Sequence, residues 1–237
     1  MLSPYLNLGL SSPAYVQPRP DWLPNYRLTG FTNWDGPNGG HVPDDVWPFL
    51  RGGDPPVIVT LGTSAASAFP DFFVQAAQAL DTLGLRGLFL TSNDTTAERM
   101  RAAGVSARHG LWPFVPLRGL TKYGRAIVHS GAHGSNALAV EAGLPSLIVP
   151  CLFDQLWHAR HHELLGTGIH LRRRLNLHAA LTRLTTDRQL TERARAMGEQ
   201  VRTEDGTTAA ADSVEAFLAG ARMSVGSPRT ARGFQGA

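Results

Sequence analysis

Apolar and polar positions follow two regimes that meet near Pro56. From there on, short apolar runs alternate with longer stretches of helical period. "PVIVTLG" (56–62) is a continuous apolar run ending in Gly, the pattern of a strand buried on both faces. "FPDFFVQAAQALDTLG" (69–84) repeats apolar residues at Phe73, Ala76, Ala77, Leu80 and Leu83, which predicts an amphipathic helix stopped by Gly84. "GLFLT" (87–91) reads as the next strand and "TTAERMRAAG" (95–104) as the next helix. A short extended piece over 104–110, a turn at "LWPFVP" and a short helix near 117–123 follow. "AIVHS" (126–130) and "SLIVP" (146–150) predict two strands around a small-residue helix, "SNALAVEAG". Further helical patterns cover about 154–166, 175–185, 188–203 and 207–219. Strands alternating with helices specify an α/β fold, a doubly wound parallel sheet of Rossmann-like form over about 56–220. In such sheets ligands bind beyond the carboxyl ends of the strands.

Residues 1–55 behave differently. They hold nine of the 16 prolines, and stretches such as "QPRPDWLPNYRLTGF" and "NWDGPNGGHVPDD" are turn chemistry without periodicity. The expected organisation is thus an arm over 1–55, a ligand-binding domain over 56–220, and a disordered small, basic tail over 221–237.

Composition narrows the classes. The chain has 237 residues, 43% hydrophobic and 17% charged, an ordinary globular balance. A net charge of +3 without a basic stripe gives no reason to expect nucleic acid as a partner, and the run Arg172–Arg174 reads as a solvated surface. Cys151 is alone, so no intrachain disulfide is possible and a reducing compartment is expected. The N-terminal stretch lacks a basic start, and no apolar run reaches the ~18 residues of a membrane span. The expectation is a soluble, cytoplasmic protein without a transmembrane segment.

Chemistry concentrates in three loops that leave strand ends. In "LGTSAAS", Gly62 permits close backbone approach, and Thr63 and Ser64 offer hydroxyls just before a helix, although a simple helix cap is the more common use of these letters. In His129-Ser130-Gly131-Ala132-His133-Gly134-Ser135, two glycines free a tight turn ahead of a helix N-terminus. A diphosphate fits such a turn, with His129 adding a donor from the strand end, whereas a purely structural turn needs no ligand. Asp154-Gln155 sets a carboxylate beside an amide, suited to vicinal sugar hydroxyls, although Asp154 is also a ready N-cap.

These residues carry a resemblance. "VHSGAHGSNALAVEAGLPSLIVPCLFDQLWHARHHELLGTG" resembles the donor-binding signature of the GT-B UDP-glycosyltransferases, the group that includes antibiotic and sterol glycosyltransferases. The matching positions are His129, Gly131, Gly134, Ser135, Ala142-Gly143, Pro145, Asp154-Gln155, Ala159 and Leu165–Gly168. "PPVIVTLGTS" is similar to the opening strand of that family's C-terminal domain, "FVPLRGLTKYGRAIVHSG" to its base-binding loop, and "SSPAYVQPRPDWLPNYRLTGF" to its interdomain connector. The resemblance implies that a UDP- or TDP-sugar is the donor, with no cofactor and no bound metal. It places the base against Phe114 and the Val115 backbone, and the diphosphate against His129 and the Gly131, Ala132, His133, Gly134, Ser135 turn. Gly62, Thr63 and Ser64 would line the cleft, and Asp154 and Gln155 would hold the sugar. Family members invert the anomeric carbon by direct displacement, with the departing diphosphate stabilised electrostatically.

Departures occur at Leu117, Ser130, Ala132 and His133, which leave the choice of base and sugar open. Family members also carry an N-terminal half that binds the acceptor and supplies a general base. This chain opens in what resembles the connector, so no catalytic residue is assignable on it. The expected partners are a nucleotide sugar and an acceptor domain on another polypeptide; an inactive fragment or a non-enzymatic binding module are the alternatives. Two further patterns stand apart. His158, His161 and His162 share a helix face at a spacing that zinc sites use, but without an acidic or Cys partner they read as a solvated face. Trp22, Trp34, Trp47 and Trp112 fall in predicted loops, which suggests packing against an absent domain.

Overall fold

The structure is a computed structural model that describes residues 2–32, 34, 39–62, 69–172 and 176–223. It divides into two compact units: residues 33–204, and residues 1–32 together with 205–237.

The larger unit is built on six parallel strands: β3 (Val57–Thr60), β4 (Gly87–Leu90), β5 (Gly110–Trp112), β6 (Ala126–His129), β7 (Ser146–Ile148) and β8 (Gly168–His170). They lie in the order β5-β4-β3-β6-β7-β8. The chain winds outward from β3 in one direction, then crosses over and winds outward from β6 in the other. The strand order therefore reverses between β3 and β6, where Thr60 is paired in register with His129. That crevice is where a doubly wound sheet holds its ligand.

Alternation of side chains along the strands makes two cores. Val57, Val59, Phe89, Val128 and Leu147 face helices α2 (Pro70–Thr82) and α7 (Leu177–Thr186). The stripe read from the sequence, Phe73, Ala76, Ala77 and Leu80, is the fully buried face of α2. Ile58, Leu88, Leu90 and Ile127 point the other way, onto α4 (Leu117–Thr121) and α5 (His133–Ala142). Each of the larger side chains so buried contributes roughly 1.5–3 kcal/mol relative to exposure. α3 (Asp94–Ala102) starts on an Asn93 cap whose side chain accepts the Thr96 N–H at 2.8 Å. α6 (Gln155–Leu165) and α8 (Arg188–Val201) complete the unit.

The structure corrects several sequence expectations. The extended piece expected over 104–110 is instead β5 at Gly110–Trp112, and β8 was not expected at all. Both are three-residue edge strands, too short for a period-two signal and paired on one side only. Part of the stretch before Pro56, expected as an arm, packs into the core of the sheet unit. A 3₁₀ turn over Asp44–Val46 and helix α1 (Trp47–Arg51) bury Val42, Val46 and Leu50 against Ile58 and Leu88. Residues 33–55 thus belong to the sheet unit, a division that differs from the arm-and-domain boundary read from composition.

The tryptophans also find partners within the chain. Trp112 donates its indole N–H to Asp45 at 2.8 Å, Trp47 meets Tyr123 edge-on at 5.2 Å, and Trp22 meets Tyr26 at 4.8 Å. Trp34 remains 83% exposed.

In the smaller unit, β1 (Asn7–Gly9) pairs in parallel with β2 (Tyr26–Leu28), and Tyr15 is buried beside Phe31. Helix α9 (Gly206–Met223) extends past the expected end near 219, and Gly206 lies against the backbone of Gly30 and Phe31, where a Cβ would stand 2.5 Å away. The tail expected to be disordered lies, from residue 224, outside the described residues.

Candidate donor-binding site

The site is built at the carboxyl ends of β6 and β7. β6 ends on His129, which is fully buried. The chain then turns through Gly131, whose φ of +87° favours glycine. Space demands glycine as well: a Cβ there would lie 2.8 Å from Ile148 Cγ2 and 3.2 Å from the Gln155 carbonyl oxygen. The close approach packs the turn after β6 directly against the start of α6. Ala132 is the N-cap of α5 in extended conformation and contributes no side-chain cap. The N–H groups of His133, Gly134 and Ser135 form the first turn, where a helix has no carbonyl of its own to offer them. Gly134 is exposed, and a Cβ there would meet nothing within 4 Å, so the helix mouth is open. Ser135 donates its hydroxyl to the Ala132 carbonyl at 3.0 Å.

Gly131 donates its N–H to His129 Nδ1 at 3.1 Å, so Nδ1 is the unprotonated nitrogen and Nε2 carries the hydrogen of the neutral ring. Burial pushes the imidazole down to about 3, with His158 acting in the same direction, and the ring is neutral at pH 7. The Nε2 atom is buried without a hydrogen-bond partner among the described residues. A buried donor left without an acceptor costs about 1–3 kcal/mol, and a ligand oxygen recovers that cost.

Behind this ring lies a polar network. His162 of α6 holds Thr167 Oγ1 on Nδ1 and Asn136 Oδ1 on Nε2, both at 2.8 Å, and its ring stands 6.3 Å from that of His129. Burial, then the neighbouring histidines, drives His162 well below the usual imidazole range. Asn136 Nδ2 is likewise buried without an acceptor among the described residues. Sequence reasoning missed Asn136 and Thr167; their signal is only that His162 lies four residues from His158 and therefore on the same helix face.

Asp154 and Gln155 open α6. Asp154 occupies the N-cap position but makes no side-chain cap, contrary to the simple reading of that residue. Its exposed carboxylate instead stands 3.5 Å from His158 Nε2, and the His158 ring is 6.0 Å from that of His133. Burial lowers His158 to about 4 although Asp154 pulls the other way, so this contact is not an ion pair at pH 7. Gln155 is buried, and its Oε1 accepts the N–H groups of Cys151 and Leu152 at 2.8 and 2.9 Å. The carbonyl half of this amide is thus committed to the loop, and only its NH₂ remains for a ligand. In between, Phe153 has φ +52° and is 92% exposed, a strained residue held up at the cleft.

The structure brings His129, Gly131, Ala132, His133, Gly134 and Ser135 together with Asp154 and Gln155. Gly62, with φ +73°, follows β3 one strand away, and its N–H approaches Thr60 Oγ1 at 3.4 Å. Thr63 and Ser64 lie outside the described residues. Phe114 and Val115 follow β5, three strands from β6, on the order of 14 Å at the usual strand spacing. Phe114 is 73% exposed and Val115 is buried. The three histidines of α6 do not converge: His158 faces Asp154, His162 faces Asn136, and His161 stacks on Trp157 at 4.5 Å. Among the described residues no group of three His, Cys, Asp or Glu side chains is placed to hold a metal ion. No described helix is long and apolar enough to cross a membrane.

Comparison with known proteins agrees with this architecture. Residues 107–217 match the family of the erythromycin biosynthesis protein CIII-like C-terminal domain. The O-mycaminosyltylonolide 6-deoxyallosyltransferase of Streptomyces fradiae is 32% identical over 206 residues, which are 84% of this chain and 47% of the relative. Among solved structures, the glycosyltransferase VinC in complex with DTDP superposes with a TM-score of 0.70 at 22% identity, over 90% of this chain and 52% of that one. Glycosyltransferase SsfS6 of Streptomyces sp. SF2575, complexed with thymidine diphosphate, gives 0.66 at 20% identity, over 91% and 53%. The chain is thus similar in sequence to a glycosyltransferase C-terminal domain, and its fold is that of the matching half of GT-B glycosyltransferases. It spans about half the length of these relatives.

Proposed function

We propose that this chain binds a UDP- or TDP-sugar and serves as the donor-binding half of a hexosyltransferase. The observation that carries this reading is the buried, unpartnered Nε2–H of His129, set at the strand-order reversal beside the open N-terminus of α5. A diphosphate oxygen accepts from Nε2, and the second phosphate meets the first-turn N–H groups of α5 with the favourable end of the helix dipole. The complexes of two structural neighbours with thymidine diphosphate support a nucleoside diphosphate as the ligand class.

Phe114 offers an exposed ring on which a pyrimidine stacks, with the Val115 backbone at its edge. Asp154 accepts from one sugar hydroxyl and the Gln155 NH₂ donates to another. On departure of the nucleoside diphosphate, charge builds on the β-phosphate. A fixed, neutral N–H donor and a helix N-terminus then stabilise the leaving group without reorganising. No resident metal or cofactor is required in this scheme. The acceptor is a hydroxyl-bearing small molecule or lipid.

Calorimetric titration with UDP, TDP and their glucose conjugates tests the assignment on the wild-type chain and on Asp154→Ala. The account expects diphosphate binding in both, with the additional affinity due to the sugar reduced in the variant. Sugar conjugates that bind the two proteins alike would remove Asp154 from the sugar site.

A further inference from the structure

The opposite, amino-terminal edge of the sheet carries a second feature that the donor-site reading does not use. A groove of about 420 Å³ lies between the loops that precede β6 and β7 and the junction of α7 with α8. Lys122, Arg125 and Arg195 line it, with the hydroxyl-bearing Thr121, Thr185 and Thr191 between them. A smaller groove of about 280 Å³ adjoins it, shares Thr121, Lys122 and Ala142, and adds Arg118 and Arg202. The single carboxylate lining either groove is Glu141, and it is occupied by a bidentate pair with Arg118. Arg202 donates to the Glu141 carbonyl oxygen at 2.7 Å and keeps its charge. Among the described residues the side chains of Lys122, Arg125 and Arg195 make no hydrogen bond or ion pair.

Helix dipoles account for part of this charge. α4, α5 and α7 all end at this edge, and each C-terminus presents at most roughly half a negative charge. Three such ends offset about 1.5 charges, whereas Lys122, Arg125, Arg195 and Arg202 supply four. The N-terminus of α8, whose first turns carry Thr191, is capped by Asp187, which accepts the Leu190 N–H and pairs with Arg183, so this helix end adds nothing to the balance. The excess is therefore positive, and the forked guanidinium donors match the oxygens of a phosphate.

We infer that this edge is a second anion site, taking a ligand with two or more phosphate groups, either a soluble oligophosphate or phosphate headgroups presented by an acidic lipid surface. The groove is of a size that holds a small molecule rather than a lone ion. It stands a strand length from the donor cleft, at the opposite end of the strands from His129.

Tripolyphosphate is the probe. Its binding is measured calorimetrically on the wild-type chain and on the variant carrying Lys122→Ala, Arg125→Ala and Arg195→Ala, all exposed positions. The donor cleft is the same in both proteins, so the difference isolates the groove. The expected result is a binding component in the wild type that weakens at least tenfold in the variant and fades as salt is raised. Sedimentation with phosphatidylglycerol vesicles, and not with phosphatidylcholine vesicles, together with release by tripolyphosphate, would assign the lipid source. Tripolyphosphate binding without sedimentation would assign the soluble one. Equal tripolyphosphate isotherms for the two proteins would overturn the inference. A parallel UDP titration of the variant reports on the donor cleft alone, so failure of that reading and failure of this one are told apart.

Discussion

Gly131 donates its backbone N–H to Nδ1 of His129 across 3.1 Å, and that one bond decides which ring nitrogen carries the proton. With Nδ1 occupied and the ring too buried to charge, Nε2–H is left as a fixed donor at the end of β6. The residue that fixes the tautomer also makes the turn. Gly131→Ala is therefore expected to act twice, through the unfavourable φ of +87° and through contact with Ile148 and Gln155. Destabilisation of roughly 1–3 kcal/mol in urea unfolding is expected, with loss of UDP binding in whatever fraction stays folded. Unchanged stability would show that the turn relaxes freely.

Gln155 has a structural duty that its place in a sugar-binding pair conceals. Its Oε1 accepts two backbone N–H groups of the 151–152 loop. Gln155→Glu keeps that acceptor and replaces the NH₂, while Gln155→Ala removes both. Unfolding experiments should show Gln155→Ala less stable by about 1–2 kcal/mol and Gln155→Glu close to wild type. Donor-sugar affinity should fall in both. If Gln155→Glu were the less stable of the two, the loop bonds would not be what holds this amide.

Thr167 and Asn136 bracket His162 in a place without water access. Thr167→Val keeps the shape and deletes the hydroxyl that meets Nδ1. A loss of about 1–3 kcal/mol is expected, read from denaturant midpoints. An accompanying fall in UDP affinity would indicate that the network also steadies the α5 turn on which Asn136 sits.

Acid should destabilise the fold earlier than a protein with exposed histidines. His129 and His158 are lowered from 6.5 to about 3 and about 4, and His162 well below its usual range. Between pH 6.5 and those values the unfolded chain binds protons that the folded chain refuses, so stability is full above about 6.5 and is lost as pH falls. Each such histidine contributes a slope of up to roughly 1.4 kcal/mol per pH unit inside its window. Denaturant midpoints at pH 7 and pH 5 check this; equal midpoints would mean the three rings are not held neutral.

Much of this fold was legible because continuous apolar runs mark the buried strands and amphipathic helices write a periodic signal. Phe73, Ala76, Ala77 and Leu80 announce the inner face of α2, and "AIVHSGAHGS" announces a strand, a turn and a helix start. β5 and β8 left no such signal, since three residues paired on one side carry too little pattern. Val42, Val46 and Leu50 sit among prolines and glycines, so their shared inward direction emerges only from the fold. At the site, His129 and the glycines were readable as a motif, whereas the carbonyl duty of Gln155 and the Asn136–His162–Thr167 contacts depend on tertiary approach. The cations of the opposite edge are scattered through the sequence, from Lys122 to Arg202, and only the fold gathers them at two adjoining grooves.

The most direct measurement is a nitrogen-detected NMR titration of the histidine-labelled chain with UDP and with TDP at pH 7, with His129 assigned by comparison with His129→Phe. The account predicts a neutral His129 ring protonated on Nε2 before ligand is added, and a saturable shift of that N–H as the diphosphate binds. A folded chain whose His129 signal does not move with either nucleotide, or whose ring is protonated on Nδ1, would contradict it.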